Sequence, residues 1–281
     1  MQKKEKHKNF ANVKLFELPI GKLFSHRSFV AKDSVSQAGI REIEQLITEK
    51  EGLSIFFAHL GLLDVFGTAV AVEKSVDYKA VFPVAASWYY FPLLLKIFRR
   101  VEKQVPHEFI PVFRREEFEG LNHKIKFLDF SGLDERGKKQ ANHEYVEHTK
   151  EVQDQGGVIM LAPYGGRAPL MEFFRSGPVS LMQEGGPIIF SLTAWNWKKL
   201  KYEVFFSQTF RFTDDITKEQ AHKVIYGEFL RMAKLSHVSE TDMLHSKSGT
   251  PVSRNLWKVM ATLISTYMLF FSTSTQKNKK K

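Results

Sequence analysis

His59 stands in the run FFAHLGLLD (residues 56–64), and a carboxylate, Asp64, follows five positions later inside a second apolar stretch. A carboxylate held against one imidazole nitrogen fixes the tautomer. The other nitrogen can then take a proton, which is the arrangement of a general base. On one continuous helix a spacing of five turns the two side chains apart. They meet if His59 lies at a strand-to-helix turn and Asp64 in the first turns of the helix. The free imidazole nitrogen would then look out past the carboxyl end of the strand, where open α/β sheets place their ligands. An isolated pair of this kind is more often a structural hydrogen bond, so the rest of the chain decides its meaning.

Other groupings point to chemistry less well. Residues 132–139, GLDERGKK, come close to a phosphate-binding P-loop, but Lys139 occupies the position where Ser or Thr would hold magnesium. In HEYVEH (143–148) the two histidines are five apart and do not share a helix face as zinc-protease ligands do. A solvated helix face accounts for them, and no metal site is expected. There is no G-x-S-x-G nucleophile elbow and no cysteine. Disulfides, thiolate metal sites and a cysteine nucleophile are therefore excluded, in keeping with a reducing compartment.

The elements that must position His59 and Asp64 can be read from periodicity. Asp33 and Ser34 precede a helical pattern through residue 50 with Val35, Ile40, Ile43 and Ile47 on one side, and Gly52 is the expected stop. Residues 53–58 form a short apolar run suited to a buried strand, and a helix is expected over 60–74. Strands are expected at 81–84, 109–113, 157–162 and 187–193, with a weaker one at 124–130. Residues 202–212 read as an antiparallel edge strand. Helices are expected over 91–102, with a basic end, and over 138–153. Thr217 and Gln220 carry a capping-box signature for a helix running to about 235. Apolar strands separated by helices indicate an α/β fold with a mostly parallel central sheet flanked by helices.

With these elements in place, four blocks take on meaning together. HLGLLD matches H-x-x-x-x-D. About fifty residues later, FIPVFRR (109–115) is an apolar strand ending in arginine, with Arg114 the better match and Arg115 the alternative. GGVIMLAPYGGR (156–167) is a strand running into a glycine turn. FFRSGPVSLMQEGGPIIFSL (173–192) carries a basic residue, a glycine and then a proline-bearing strand. In this order the blocks resemble the signature blocks of the PlsC-like glycerolipid acyltransferases over roughly residues 53–193. The chain departs from that pattern where the family's E-G-T-R glutamate is replaced by Tyr164 and its threonine by Gly166. The interval from Arg114 to Tyr164 is also long, so residues 118–133 read as an insertion.

The resemblance implies a glycerol-3-phosphate-acyltransferase-like fold and acyl transfer from acyl-CoA or acyl carrier protein to a hydroxyl of a lysophospholipid such as lysophosphatidic acid, or of glycerol phosphate. It assigns His59 as base and Asp64 as its orienting carboxylate. Arg114 and Arg167 would hold the acceptor phosphate, Arg167 by a fork of donors. Gly165 and Gly166 would offer unobstructed backbone N–H groups to an anion or oxyanion. No cofactor is implied beyond the acyl donor as co-substrate. Gly177 and Pro178 are expected to shape a turn, and residues 187–191 to form a core strand.

Composition frames the partners. The 281 residues carry a formal net charge of +10 and 43% hydrophobic residues, 25 of them Phe. That is enough to build a core and calls for an anionic partner. No nucleic-acid signature accompanies the charge, so an anionic membrane surface is the expected one. Residues 80–95 are uncharged but contain two prolines and fall short of the roughly 20 residues of a spanning helix. Residues 256–271, with Trp257, Lys258 and Tyr267 and a Lys-rich tail beyond, read as a surface-lying membrane contact. The basic start lacks the pattern of a secretory signal. The expectation is a cytoplasmic protein, peripheral or monotopic at the membrane. It divides into a basic and apolar N-terminal segment (1–32), an acyltransferase domain (33–245) and a membrane-contact helix with Lys-rich tail (246–281). The alternative on the same fold is a non-catalytic lipid-binding protein in which Tyr164 marks a lost acceptor site.

Overall fold

A computed structural model describes residues 14–18, 28–59, 64–114, 118, 131–164, 176–196 and 201–236. The strands are β1 (Ser28–Val30), β2 (Leu53–Ala58), β3 (Ala80–Ala85), β4 (His107–Val112), β5 (Val158–Leu161), β6 (Ile188–Asn196) and β7 (Lys201–Phe206). The helices are α1 (Ser34–Thr48), α2 (Asp64–Glu73), α3 (Ala86–Tyr89), α4 (Pro92–Glu102), α5 (Glu135–Asp154), α6 (Ser176–Gln183) and α7 (Lys218–Leu235), with a 3-10 turn at Leu15–Glu17. The seven strands make one sheet in the order β1-β7-β6-β2-β5-β3-β4. The five strands from β6 to β4 are parallel to one another, and β7 runs antiparallel to β6. The expected α/β architecture with a mostly parallel sheet is what the chain forms.

The central strands are mostly apolar because both their faces are covered. In β2, Leu53, Ile55 and Phe57 join one core with Ile40, Ile43 and Leu46 of α1 and Val70 and Val72 of α2. Phe56 and Ala58 point the other way, into a second core with Val152 of α5, Met182 of α6 and Ile225, Phe229 and Met232 of α7. The period of two along the strand thus sorts one short segment into two cores.

Caps define several ends. The Asp33 carboxylate accepts from Ser36 N–H, and Thr217 and Gln220 form the reciprocal capping box. Three details differ from the sequence expectations. Helix α1 stops through Lys50, which takes the positive φ of 57°, and not through Gly52. Gly52 serves a close approach instead, since a Cβ there would lie 2.2 Å from the Gln153 carbonyl oxygen. The antiparallel strand β7 is not an edge, because β1 pairs alongside it in parallel. Gly177 and Pro178 fall within the first residues of α6, not in a turn.

Residues 80–95 are divided among β3, α3 and α4, and no described helix is long and apolar enough to cross a membrane. The strand expected at 124–130 and the contact segment at 256–271 lie outside the described residues.

Candidate active site

His59 directly follows the last residue of β2, the strand at the middle of the sheet. Its ring is partly exposed and meets the Phe57 ring edge-on, with centroids 5.9 Å apart. Phe57 belongs to the core shared with α1 and α2, so the imidazole stands on that side of the sheet. Its Nδ1 is buried. The described part of helix α2, Asp64–Glu73, lies on the same side. His59 is thus at the end of β2 and Asp64 is in the helix that follows it.

What holds α2 in place is a set of residues the motif reading passed over. Gly67 lies against β6, where a Cβ would come within 2.7 Å of Thr193 Cγ2. One residue on, the Thr68 hydroxyl shares hydrogen bonds with the hydroxyls of Ser191 (2.9 Å) and Thr193 (3.2 Å). All three hydroxyl residues are buried. Ser191 is level with Phe57 across the β2–β6 ladder, so this polar contact lies beneath the candidate site. Thr68 is one helical turn beyond Asp64, and the cluster fixes the register of the helix that carries the carboxylate. Hydroxyls two apart in an otherwise apolar strand, Ser191 and Thr193, were the available sequence signal.

The other candidate residues reach the same edge on different strands. Val112 is level with Ala85 in the β3–β4 ladder, so Arg114 leaves β4 at the edge where His59 leaves β2. Two strands, β5 and β3, lie between them. Three strand spacings put the two backbones roughly 14 Å apart. Arg114 is half-buried, with a buried Nε. On β5, next to β2, Leu161 is level with Phe56, so Tyr164 and His59 each stand three residues beyond that pair. Gly165, Gly166 and Arg167 lie outside the described residues.

Tyr164 faces away from the α2 side. It is 2% exposed and belongs to the core beneath α7, with its ring 5.8 Å from that of His222 and 6.4 Å from that of Phe229. Burial, with a smaller contribution from Tyr226, raises its phenol well above the usual value.

One side of the site is higher than the other. Leu192 of β6 is opposite Ala58, the last residue of β2, yet β6 continues four residues to Asn196 and pairs there with Lys201 of β7. At about 3.3 Å per residue, the β6–β7 hairpin rises about 13 Å past the end of β2. On the opposite side, β5 ends level with Phe56, and β3 ends level with β4 and passes into α3.

Titratable clusters elsewhere are structural. At the amino edge of the sheet, His107 Nε2 lies 3.6 Å from Glu73 Oε1, both sealed in the core, and the same Glu73 oxygen accepts from Leu15 N–H at 2.5 Å. That pair has no access to substrate. Glu108 receives Lys79 at 2.8 Å and His148 at 2.7 Å. Burial pushes its carboxyl up, but hydrogen bonds and charge from Lys79 and His148 outweigh it and hold the carboxyl below its ordinary value. His143, by contrast, is mostly exposed and pairs with Glu147 along α5. Among the described residues no group of side chains could hold a metal ion. The near P-loop segment forms the start of α5, where Asp134 caps the helix and Lys139 pairs with Glu135.

A groove of about 520 Å³ lies at the amino edge, between the end of α1 and the residues after β7. Its Glu42 already binds Thr209 and its Glu51 already binds Arg211. No family model matches the chain, and no curated protein is similar to it.

Proposed function

We propose that the protein is an acyltransferase of the PlsC-like glycerolipid type, with a glycerol-3-phosphate-acyltransferase-like fold and its reaction centre at the carboxyl edge of β2. One observation carries the reading: His59 is partly exposed at the end of the central parallel strand, on the side of the helix that contains Asp64.

In this reading the imidazole Nε2 takes the proton of an acceptor hydroxyl as its oxygen attacks the thioester carbonyl of acyl-CoA or acyl carrier protein. The C–O bond forms, the C–S bond breaks, and the imidazolium returns the proton to the departing thiolate. Asp64 orients the ring and stabilises the imidazolium. Arg114 and Arg167 hold the acceptor phosphate, while Gly165 and Gly166 leave backbone N–H groups open to the oxyanion. The distance of roughly 14 Å between strand ends suits an acceptor whose phosphate and reacting hydroxyl are separate groups. The acceptor class is lysophosphatidic acid or a related glycerol phosphate, met at a cytoplasmic anionic membrane surface.

The purified protein is expected to move a long-chain acyl group from acyl-CoA to lysophosphatidic acid, and His59→Ala to lose that activity by at least about 100-fold, within the range for a general base. Equal rates in the two proteins would remove the mechanism.

Tyr164 favours a second reading. The position where related blocks carry an acid here holds an aromatic ring sunk in the core. A lipid-binding protein without turnover fits that change. Liposome binding without any acyl transfer across a panel of acceptors would select it.

A further inference from the structure

The outer face of α4 joins an exposed aromatic to a row of unbalanced cations. Exposed positions on this helix and its cap are Pro92, Lys96, Arg99, Arg100 and Lys103, while Ile97, Phe98 and Val101 pack into the core. Spacings of three and four set Lys96, Arg99, Arg100 and Lys103 along one side of a helix about 16 Å long. None of the four makes an ion pair with any described residue. The one acid on the helix, Glu102, accepts from Phe109 N–H at 2.9 Å and so faces the sheet.

At the leading end, Tyr89 stacks on Phe98 with centroids 5.7 Å apart, and Tyr90 stacks on Phe113 at 6.0 Å. Their neighbour Trp88 is left outward, 43% exposed. It follows the end of β3, at the same sheet edge as His59.

We propose that this α3–α4 face docks on an anionic phospholipid membrane, with Trp88 seated among the headgroups and the α4 cations lying along the surface. Charge complementarity selects the lipid. Indole prefers the headgroup boundary, and Lys and Arg near an anionic leaflet add attraction that falls off within a Debye length. A purely polyanionic partner would leave Trp88 unexplained. The inference stands apart from the acyl-transfer reading, since binding needs no turnover.

The test is sedimentation of the full chain with phosphatidylcholine vesicles containing or lacking about 30% phosphatidylserine, enough to give an anionic surface. Arg99→Glu/Arg100→Glu/Lys103→Glu is compared with Lys218→Glu/Lys223→Glu/Lys234→Glu on α7, which lowers net charge equally at exposed positions. At roughly fivefold per cation, the α4 variant is expected to lose on the order of 100-fold in partitioning to the anionic vesicles, and the α7 control far less. Trp88→Ser is expected to weaken binding several-fold while leaving its salt dependence unchanged. Equal losses in the α4 and α7 variants would overturn the proposal, because net charge alone would then explain binding. Unchanged vesicle binding with lost retention on heparin would overturn it in favour of a soluble polyanion. Circular dichroism melts, expected to match wild type at these exposed sites, show that any loss is not unfolding.

Discussion

Replacing Thr68 by valine keeps the side-chain shape and removes one hydroxyl from the contact between α2 and β6. In the native protein that hydroxyl bonds Ser191 at 2.9 Å and Thr193 at 3.2 Å, with all three side chains buried. Each neutral bond contributes about 1 kcal/mol, and a buried hydroxyl left unpaired costs about 1–3 kcal/mol. Ser191 has no other side-chain partner among the described residues, so the substitution strands its hydroxyl and the full cost of an unpaired group falls there. The added methyl recovers roughly 0.8 kcal/mol of apolar burial. The net expectation is a destabilisation of about 2 kcal/mol. The assay is urea unfolding followed by circular dichroism, run on wild type, Thr68→Val, Ser191→Ala and the double variant. Once Ser191 is gone, Thr68→Val costs less, so the cycle should show a coupling of about 1 kcal/mol. Strict additivity, or a single-variant change under about 0.5 kcal/mol, would refute the claim that these hydroxyls seat α2.

Three further outcomes are expected. Gly39→Ala should destabilise by about 1–3 kcal/mol in the same unfolding assay, because its Cβ would lie 2.2 Å from the Ser207 carbonyl oxygen. Helix propensity alone predicts a gain of about 1 kcal/mol, so the sign decides between the two effects. For Glu108, whose carboxyl is held low in the folded state, the stabilisation is fully present above the unfolded carboxylate value and disappears as pH falls through the folded one. Melting temperatures of wild type and Glu108→Gln should therefore differ near neutral pH and converge in acid, below about pH 4. The loss of acyl transfer in His59→Ala should come without a large change in melting temperature, since the ring is partly exposed.

The elements around His59 were legible because their physics is local. Both-face burial makes β2, β5 and β6 predominantly apolar runs, and the caps at Asp33 and Thr217 are spelled by side chains next to the helices they start. Strand β1 escaped notice because three residues, Ser28–Val30, carry no period, and only pairing with the distant Tyr202–Val204 defines them. That same pairing is why β7, with its partly alternating pattern, is covered and not an edge. The stop at Lys50 was hidden because glycine is the usual left-handed residue, while Gly52 answers to the neighbouring backbone of Gln153. At the site, the spacing of His59 and Asp64 was a sufficient guide to their elements. The replacement at Tyr164 was visible, but its direction, into the core beneath α7, depends on a helix that begins only at Lys218. The Thr68 cluster and the Glu73–His107 pair are likewise tertiary, each made by residues that are unremarkable alone.

The tall β6–β7 hairpin makes the approach to His59 one-sided. In the proposed acyl-transfer reading, a flexible substrate at His59 would meet a barrier on one flank and lower strand ends on the other, and its tail would lie over β5 and β3 toward Trp88. Substrates would then file in along one direction, and lengthening or trimming that hairpin would change how they are aligned without touching any reacting group.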